Sequence, residues 1–395
     1  MKTLSPSFVS LAAITLTPLV LAGGETHAWS ELDTAPSAPK TAFDNWSVSY
    51  KDGLKVSNAD GSNSIKIGGR LMYDMGWQAG EDKAVGEQVE FRRARLFVKG
   101  QLNGNVSYKV NYDFAVSGSP VALKDMYMQF DDLQGIRVGR FKEYNSINNL
   151  TSSKYITMIE RAGIVNAISP GRGSGAGKLW EIDENTTAAL GLFKATSNGF
   201  SEDAGEWSVT GRLTHLFADT LHLGGSASAR GGSESDVSTR PGHHMDGSVT
   251  LSDDGRAQDS SLYGLETVWL NGPFSLQAEY ISQAFDSANE AKVSGYYITA
   301  SWFTTGEHRP YDKSNGSFSR VVPSGNGGAC ELTARMDHSD GEDTNTVEVD
   351  DLIFGINWYT GRNSRIMLNY VMADINDSGT KTGYDALLLR FQVDF

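Results

Sequence analysis

From about residue 64 to the final residue, apolar and polar side chains alternate one for one in run after run. Ile65, Ile67, Leu71, Tyr73, Met75 and Trp77 alternate with Lys66, Arg70 and Asp74. Val106, Tyr108, Val110, Tyr112, Phe114 and Val116 alternate with Ser107, Lys109, Asn111 and Asp113. The pattern returns in 207–217, 274–280 and 352–359, and no helical period of convincing length competes with it. A period of two gives each segment one apolar and one polar face, the signature of a β-strand. In the last run Leu387, Leu389, Phe391, Val393 and Phe395 alternate with Leu388, Arg390, Gln392 and Asp394.

Two architectures satisfy such strands. One is a soluble sandwich with a solvated face; the other is a closed barrel with lipid outside and a polar lumen. A final alternating strand that ends on Phe points to the barrel. The N-terminus agrees: Lys2, the mostly apolar stretch 8–22 and the small-residue site Thr26-His27-Ala28 read as an export signal over residues 1–28. Gly23, not Cys, follows Ala22, which argues against a lipid anchor. Beyond this segment no run of about 18 apolar residues occurs, so helical spans are excluded. A membrane protein without helical spans must be a closed barrel, because no other structure satisfies every backbone group in lipid.

Composition fits the same reading. Hydrophobic residues make up only 39%, yet the chain holds 43 glycines and 40 aromatics (8 Trp, 15 Tyr, 17 Phe). A barrel has this balance, because half of each strand is polar and its girdles are aromatic. A soluble secreted all-β protein stands as the alternative. The single cysteine, Cys330, rules out an intrachain disulfide framework and falls on an apolar strand face. A net charge of −14 argues against nucleic-acid binding. It leaves the sign of the lumen open, since outer loops can hold the acids.

The alternation and turn signals predict strands at 64–77, 89–101, 105–117, 121–131, 136–141, 177–184, 187–195, 206–217, 220–230, 259–270, 273–285, 291–305, 327–337, 347–360, 363–374 and 383–395. The fold class is therefore all-β: a closed antiparallel transmembrane barrel of about sixteen strands over residues 64–395. Residues 29–63 form a periplasmic segment, with a hairpin expected over 46–56 around Asp52-Gly53. Tight turns with Gly, Asn or Asp, such as Leu102-Asn103-Gly104 and Asn271-Gly272, alternate with longer connections at 78–88, 142–176, 231–258 and 338–346. The third long loop, 142–176, mixes Lys142, Lys154, Arg161 and Arg172 with Ile156, Met158, Ile159, Ile164, Val165 and Ile168. That much apolar content predicts a packed loop folded into the barrel as a constriction. The 231–258 loop reads as exposed. The 306–326 connection is long for a short-turn side and is expected to fold back into the pore.

Five segments resemble one family: FRRARLFVKGQL (Phe91 to Leu102), TSSKYITMIER (Thr151 to Arg161), GPFSLQAEYI (Gly272 to Ile281), GYYITASWFTTGEHRPYD (Gly295 to Asp312) and FGINWYTGRNSRIMLNY (Phe354 to Tyr370). Together, from about Ile65 to Phe395, they look like the phosphate-selective porin O and P family. The resemblance implies a trimeric sixteen-stranded outer-membrane barrel with an arginine-lined, anion-selective lumen narrowed by the third loop. It places Arg92 and Arg93 among the lumenal arginines, Lys154 and Arg161 in the constriction, and Lys313 and Arg320 in the long turn that contributes lysines. Phosphate-selective members resemble K-A-T-S-S-K in the loop, whereas Asn149 stands first here, so one basic residue of the narrowest site is absent. Cys330 stands where an aromatic would be expected.

Strand parity points to basic residues in the lumen independently of the resemblance. Lys109, Arg212, Arg335 and Arg390 lie on polar faces. Arg93 and Arg95 share a parity opposite to Leu96, so Arg92 needs a bulge, or a place at the rim or protomer interface. Guanidinium forks and ammonium groups replace the hydration an anion sheds in a narrow pore. Asp125 or Asp113 is placed to hold an arginine and weaken its field. The competing reading pairs the arginines with lumenal acids, for which Glu266, Glu279, Glu331 and Asp394 are available.

Other signals fail on spacing. Gly171 to Lys178 (GRGSGAGK) lacks the first glycine and the final Ser or Thr of a phosphate-binding loop and reads as flexible loop. His243-His244 with Asp246, Asp253 and Asp254 lacks metal-ligand spacing. The acidic 337–345 stretch lacks calcium-loop order and reads as a solvated loop or a divalent bridge to outer-leaflet lipid. His215 and His222 fall on strand faces without a triad. The sequence reading is thus an outer-membrane porin for small anions, phosphate first. Lipid, lipopolysaccharide and two further copies are the expected partners, without cofactor, metal or catalysis. A general or weakly anion-selective porin, a barrel enzyme and a plugged structural barrel are the alternatives.

Overall fold

The computed structural model describes residues 45–80, 86–115, 121–195, 207–234, 236–245, 247–252, 257–286, 290–342 and 346–395. The export signal expected over residues 1–28 and the start of the 29–63 segment lie outside these residues. A hairpin of β1 (Trp46–Tyr50) and β2 (Leu54–Asn58) comes first, and β2 pairs with the lower part of β3 (Ser64–Gly80). Then follow β4 (Gly86–Leu102), β5 (Val106–Asp113), β6 (Ala122–Phe130), β7 (Ile136–Lys142), two short helices α1 (Ile147–Leu150) and α2 (Gly163–Ile168), β8 (Arg172–Glu181), β9 (Thr186–Ala195), β10 (Trp207–Phe217) and β11 (Leu221–Glu234). A small pair, β12 (Val237–Thr239) and β13 (Val249–Ser252), precedes β14 (Ala257–Asn271), β15 (Phe274–Phe285) and β16 (Lys292–Phe303). A second small pair, β17 (Tyr311–Asp312) and β18 (Ser317–Phe318), precedes β19 (Ala329–Glu342), β20 (Thr346–Gly361), β21 (Ser364–Asp377) and β22 (Thr380–Asp394).

Leaving aside the hairpin and the two small pairs, sixteen strands pair antiparallel, each with its neighbour in the chain, and β22 returns to β3. At this seam Tyr384 lies opposite Gly80 and Asp394 opposite Arg70. Gly69 and Phe395 exchange backbone hydrogen bonds of 2.7 and 3.2 Å. The ring is a closed barrel, so no strand edge is left to lipid.

Burial alternates along most of the barrel strands, with the apolar set outside. On β20 Leu352, Phe354, Ile356 and Trp358 are exposed, while Ile353, Asn357 and Tyr359 are buried. The outward aromatics fall into two belts. Tyr263 and Trp269, Phe274 and Tyr280, and Tyr296 and Trp302 are exposed pairs six residues apart. Six residues of strand are roughly 20 Å, close to the apolar band of an outer-membrane barrel. Cys330 lies on the outward face and is half-buried.

The core lies in the lumen. Ile164, Val165 and Ile168 of α2 pack with wall residues Leu262, Ile281, Val293 and Tyr297. Met158 and Ile159 pack on Ile353, Val371 and Leu388. This explains Leu388, an apolar residue at a polar position of the last strand.

Several expectations need correction. The Gly171–Lys178 stretch is the start of strand β8, which begins five residues before the expected 177. Glycines on its inner face make room for a ring cluster: a Cβ at Gly173 would lie 2.8 Å from Phe193 Cβ, and one at Gly177 2.9 Å from the Tyr144 ring. The supposed loops at 78–88 and 338–346 are mostly strand, since β3 reaches Gly80, β4 starts at Gly86, β19 reaches Glu342 and β20 starts at Thr346. Beyond the lipid belt a strand has no need of an apolar face, so the alternation fades before the pairing does. The 231–258 loop is not simply exposed. Val237 and Leu251 of β12 and β13 join the α2 core, and Pro241 to His243 are buried. Asp246, Asp253 and Asp254 lie outside the described residues.

The seam generates a test. A Cβ on Gly69 would lie 2.4 Å from the Arg95 carbonyl and 2.7 Å from the Phe395 ring. Gly69→Val should destabilise the refolded barrel by roughly 1–3 kcal/mol through overpacking, read as a lower urea midpoint in detergent. An unchanged midpoint would show that the seam tolerates a side chain there.

Candidate functional site

Residues 143–171 leave the top of β7 and cross the lumen before β8. Their peptide groups are buried, so the wall has to supply partners. Arg335, Arg365 and Arg390 do so from β19, β21 and β22. They donate to the carbonyls of Glu160 (2.8 Å), Ile156 (2.8 Å) and Ile159 (2.5 Å). Asn357 donates to the Thr157 carbonyl at 2.7 Å, and Asn369 accepts from the Ile159 N–H at 2.8 Å. Arg390 also forks onto Asp74 with two bonds of 2.6 Å.

The carboxylate of Glu160 is the loop's main ionic anchor. It meets Arg92 at 2.8 Å, Arg390 at 2.9 Å and Arg93 at 3.5 Å. Burial opposes its charge, but Arg92, Arg93 and Arg390 outweigh that and hold the carboxyl well below the usual carboxylate range. Arg92 reaches Glu160 through a bulge. Met72 pairs with Arg93 and Tyr73 with Phe91, so Arg92 is the extra residue that turns inward. Arg92 and Arg93 are therefore loop anchors.

On the other side of the loop, towards β3–β10, a cavity of about 510 Å³ stays open. Nine basic side chains line it (Arg70, Arg95, Lys99, Lys109, Arg137, Lys142, Arg161, Arg172 and Arg212) against two acids, Asp125 and Asp312. Four of the nine are ion-paired. Arg95 meets Asp113 at 2.7 Å, Lys109 and Arg172 share Asp125 at 2.8 Å each, and Arg212 meets Glu266 at 2.5 Å. Asp125 and Asp113 thus hold basic groups in place, as the sequence suggested.

The other five have no carboxylate within 4.0 Å among the described residues. Neutral groups hold four of them. Arg70 donates to the Ser153 hydroxyl at 2.7 Å. Arg137 donates to Gln129 at 3.0 Å and lies over the Tyr127 ring at 4.3 Å. Arg161 donates to the carbonyls of Asn148 (2.9 Å) and Thr151 (2.8 Å), and Lys142 donates to that of Asn149. For Lys99 no partner is seen among the described residues. Carbonyl and hydroxyl dipoles fix a cation without cancelling its charge. At an effective dielectric of about 20, each unit charge is worth roughly 4 kcal/mol to an anion about 4 Å away, before desolvation.

Of the residues expected from the sequence, Arg95, Lys109, Arg161, Arg212 and Asp125 meet at this cavity. The others lie elsewhere. Lys154 and Arg320 both bind Asp394, at 3.0 and 3.1 Å. Lys313 pairs with Asp219 at 2.5 Å in an exposed position. Arg335 grips the loop and meets Asp337 at 2.9 Å. The long turn does fold inward, with Arg309 and Phe318 buried, but Lys313 points away at its tip. Lys142 and Arg172, read from the sequence only as members of the constricting loop, line the cavity too, and Arg70, Lys99 and Arg137 were not singled out. Parity along β3 marked Arg70; the weak, Gly-broken β7 hid Arg137.

The loop anchor gives a pH prediction. A carboxyl held below its unfolded value contributes stability above that unfolded value, about 4.3 for Glu. The contribution disappears only as pH falls through the depressed native value. The 143–171 loop should stay docked at pH 5, read as protease resistance. Glu160→Gln should release it at neutral pH, since breaking a buried pair costs about 3–5 kcal/mol. Equal resistance in the variant would remove Glu160 from this role.

The family model for phosphate-selective porin O and P matches residues 65–395. Porin O of Pseudomonas aeruginosa is 27% identical over 409 aligned residues, covering 88% of this chain and 92% of that protein. An uncharacterised protein of Caulobacter vibrioides is also 27% identical, covering 86% and 74%. Among solved structures, the outer-membrane channel DcaP of Acinetobacter baumannii superposes with a TM-score of 0.58 at 10% identity, covering 86% of this chain and 99% of that one. An anion-selective porin from Comamonas acidovorans gives 0.56 at 11% identity, covering 84% and 99%. At those identities the structural matches speak for the fold alone. With the family model matched from the first barrel strand to the last, the chain belongs to the phosphate-selective porin O and P family and is an outer-membrane porin.

Proposed function

We propose that this porin conducts small anions passively, with phosphate as the favoured ion, through the basic cavity beside the 143–171 loop. One observation carries the reading: five cations facing the cavity have no carboxylate partner among the described residues, and neutral dipoles hold four of them, so their field is left for a passing ion. An anion entering the cavity gives up part of its hydration and takes charge-assisted hydrogen bonds in exchange. The bonds must be exchangeable from one cation to the next, because a site that held too tightly would stop flux. Several cations sharing one cavity satisfy this.

The departure at Asn149 fits the proposal. Its side chain donates to the Pro170 carbonyl at 2.8 Å. The ammonium of Lys142 lies against the Asn149 carbonyl, so a positive charge stands next to the position that lacks one. The family's name and the anion selectivity of the similarly folded Comamonas porin point the same way. The proposal assigns no bond-making step and no cofactor. It includes assembly as a trimer and contact of the outward apolar face with lipid and lipopolysaccharide. A protein of similar fold, OmpT of Vibrio cholerae, has been solved in a trimer form.

The test is reversal potential across a planar bilayer in a potassium chloride gradient, followed by addition of phosphate. Anion preference with block by phosphate is expected. Arg161→Glu removes a cation held only by carbonyls and inserts an acid. It should lower anion preference and weaken block by at least about tenfold, equivalent to about 1.4 kcal/mol. Block unchanged in that variant would take Arg161 out of the site. Anion preference without block would mean a general anion porin, and cation preference would reverse the proposal.

A further inference from the structure

We infer that Glu279 is a positioning residue for the anion site, acting through the single helical turn α1; this rests on the anion-pore reading above. The turn is held at both ends by side chains. At its start three consecutive N–H groups are satisfied: Ile147 donates to Glu266 at 2.7 Å, Asn148 to Glu279 at 2.8 Å and Asn149 to Ser146 Oγ at 3.1 Å. At its end the carbonyls of Asn148, Asn149 and Thr151 accept from Arg161, and that of Asn149 also from Lys142. One turn of four residues spans only about 6 Å. A shift at its start is therefore passed directly to the carbonyls that aim two of the five unpaired cations.

Glu266 and Glu279 are cross-strand partners on β14 and β15, both on the lumenal face. They differ in what else they do. Glu266 also takes Arg212 at 2.8 Å and His222 at 3.2 Å, so it serves the wall as well as the turn. Glu279 has no basic group within 4.0 Å among the described residues. Its Oε1 accepts from the Asn148 N–H and from the Tyr297 hydroxyl, the latter at 2.5 Å. Tyr297 also accepts from Gln277 at 2.5 Å, and Gln277 accepts from Arg309 of the inward-folded long turn at 3.1 Å. Glu279 thus ends a chain of hydrogen bonds running from that turn to α1, and its effect on the pore is one of placement. It neither lines the cavity nor meets the ion.

The experiment compares wild type, Glu279→Leu and Glu279→Gln in planar bilayers, reading reversal potential and phosphate block. The heat-resistant folded band in gels serves as the control for folding. Leucine removes the acceptor, so block should weaken about tenfold while the folded band persists, the scale expected for one buried hydrogen bond. Glutamine keeps an acceptor oxygen and should restore block to within about twofold of wild type. Ser146→Ala, a smaller change on the same turn, is the second variant should leucine prevent folding, and it should weaken block in the same direction. Wild-type block in Glu279→Leu, or in Ser146→Ala where leucine does not fold, overturns the inference. So does an equal loss in Glu279→Gln. A wild type that phosphate does not block at all overturns the pore reading and this inference together, and is told apart by the wild-type trace alone.

Discussion

The peptide groups of residues 156–161 are buried in the lumen, and the wall satisfies them with arginine and asparagine side chains. A segment without regular structure can be buried only when its backbone hydrogen bonds are found elsewhere. Here that requirement consumes the polar groups of β19–β22 and fixes the loop against that side. The open space is left on the opposite side, along β3–β10. The cavity's location follows from where the loop finds its partners.

Arginine has two uses in this lumen. Where the loop is anchored, Arg390 is neutralised by Asp74 and Glu160, and Arg92 and Arg93 by Glu160. On the cavity side Arg70, Arg137, Arg161 and Lys142 are held by hydroxyl, amide and carbonyl oxygens. A carboxylate partner fixes a cation and cancels it; a dipole fixes it and leaves the charge. The formal excess of seven positive charges around the cavity, nine bases against two acids, stands in a chain whose net charge is −14. Whole-chain charge is thus no guide to what a pore passes.

The barrel was legible in the sequence because lipid on one face and a polar interior on the other impose a strict alternation. The sixteen strands follow from it, including the bulge needed at Arg92, whose adjacency to Arg93 no regular strand accommodates. What alternation did not reveal was the filling of the lumen. Val237 and Leu251 are scattered in a polar stretch, yet they complete the core around α2. The start of β8 was obscured by glycines, which serve there to admit Tyr144 and Phe193. The site was half visible for a related reason. Parity places a side chain inside the barrel, but whether it faces water or a carboxylate depends on where the loop lies. Lys154, Arg320 and Arg335 are basic and interior, and all are engaged elsewhere.

The lumenal wall carries apolar residues as well as charges: Met72, Leu262, Ile281, Tyr297, Ile353, Val371 and Leu388 all point inward and are buried. A barrel built to be an open tube would have no use for them. They match the apolar face of the loop as a socket matches its plug, so shortening the loop to widen the pore would wet a surface shaped to stay dry. In this molecule calibre and cohesion are one property. The dipole-held side chains at the cavity, most of them on the wall strands, can therefore be exchanged more safely than the loop can be remodelled.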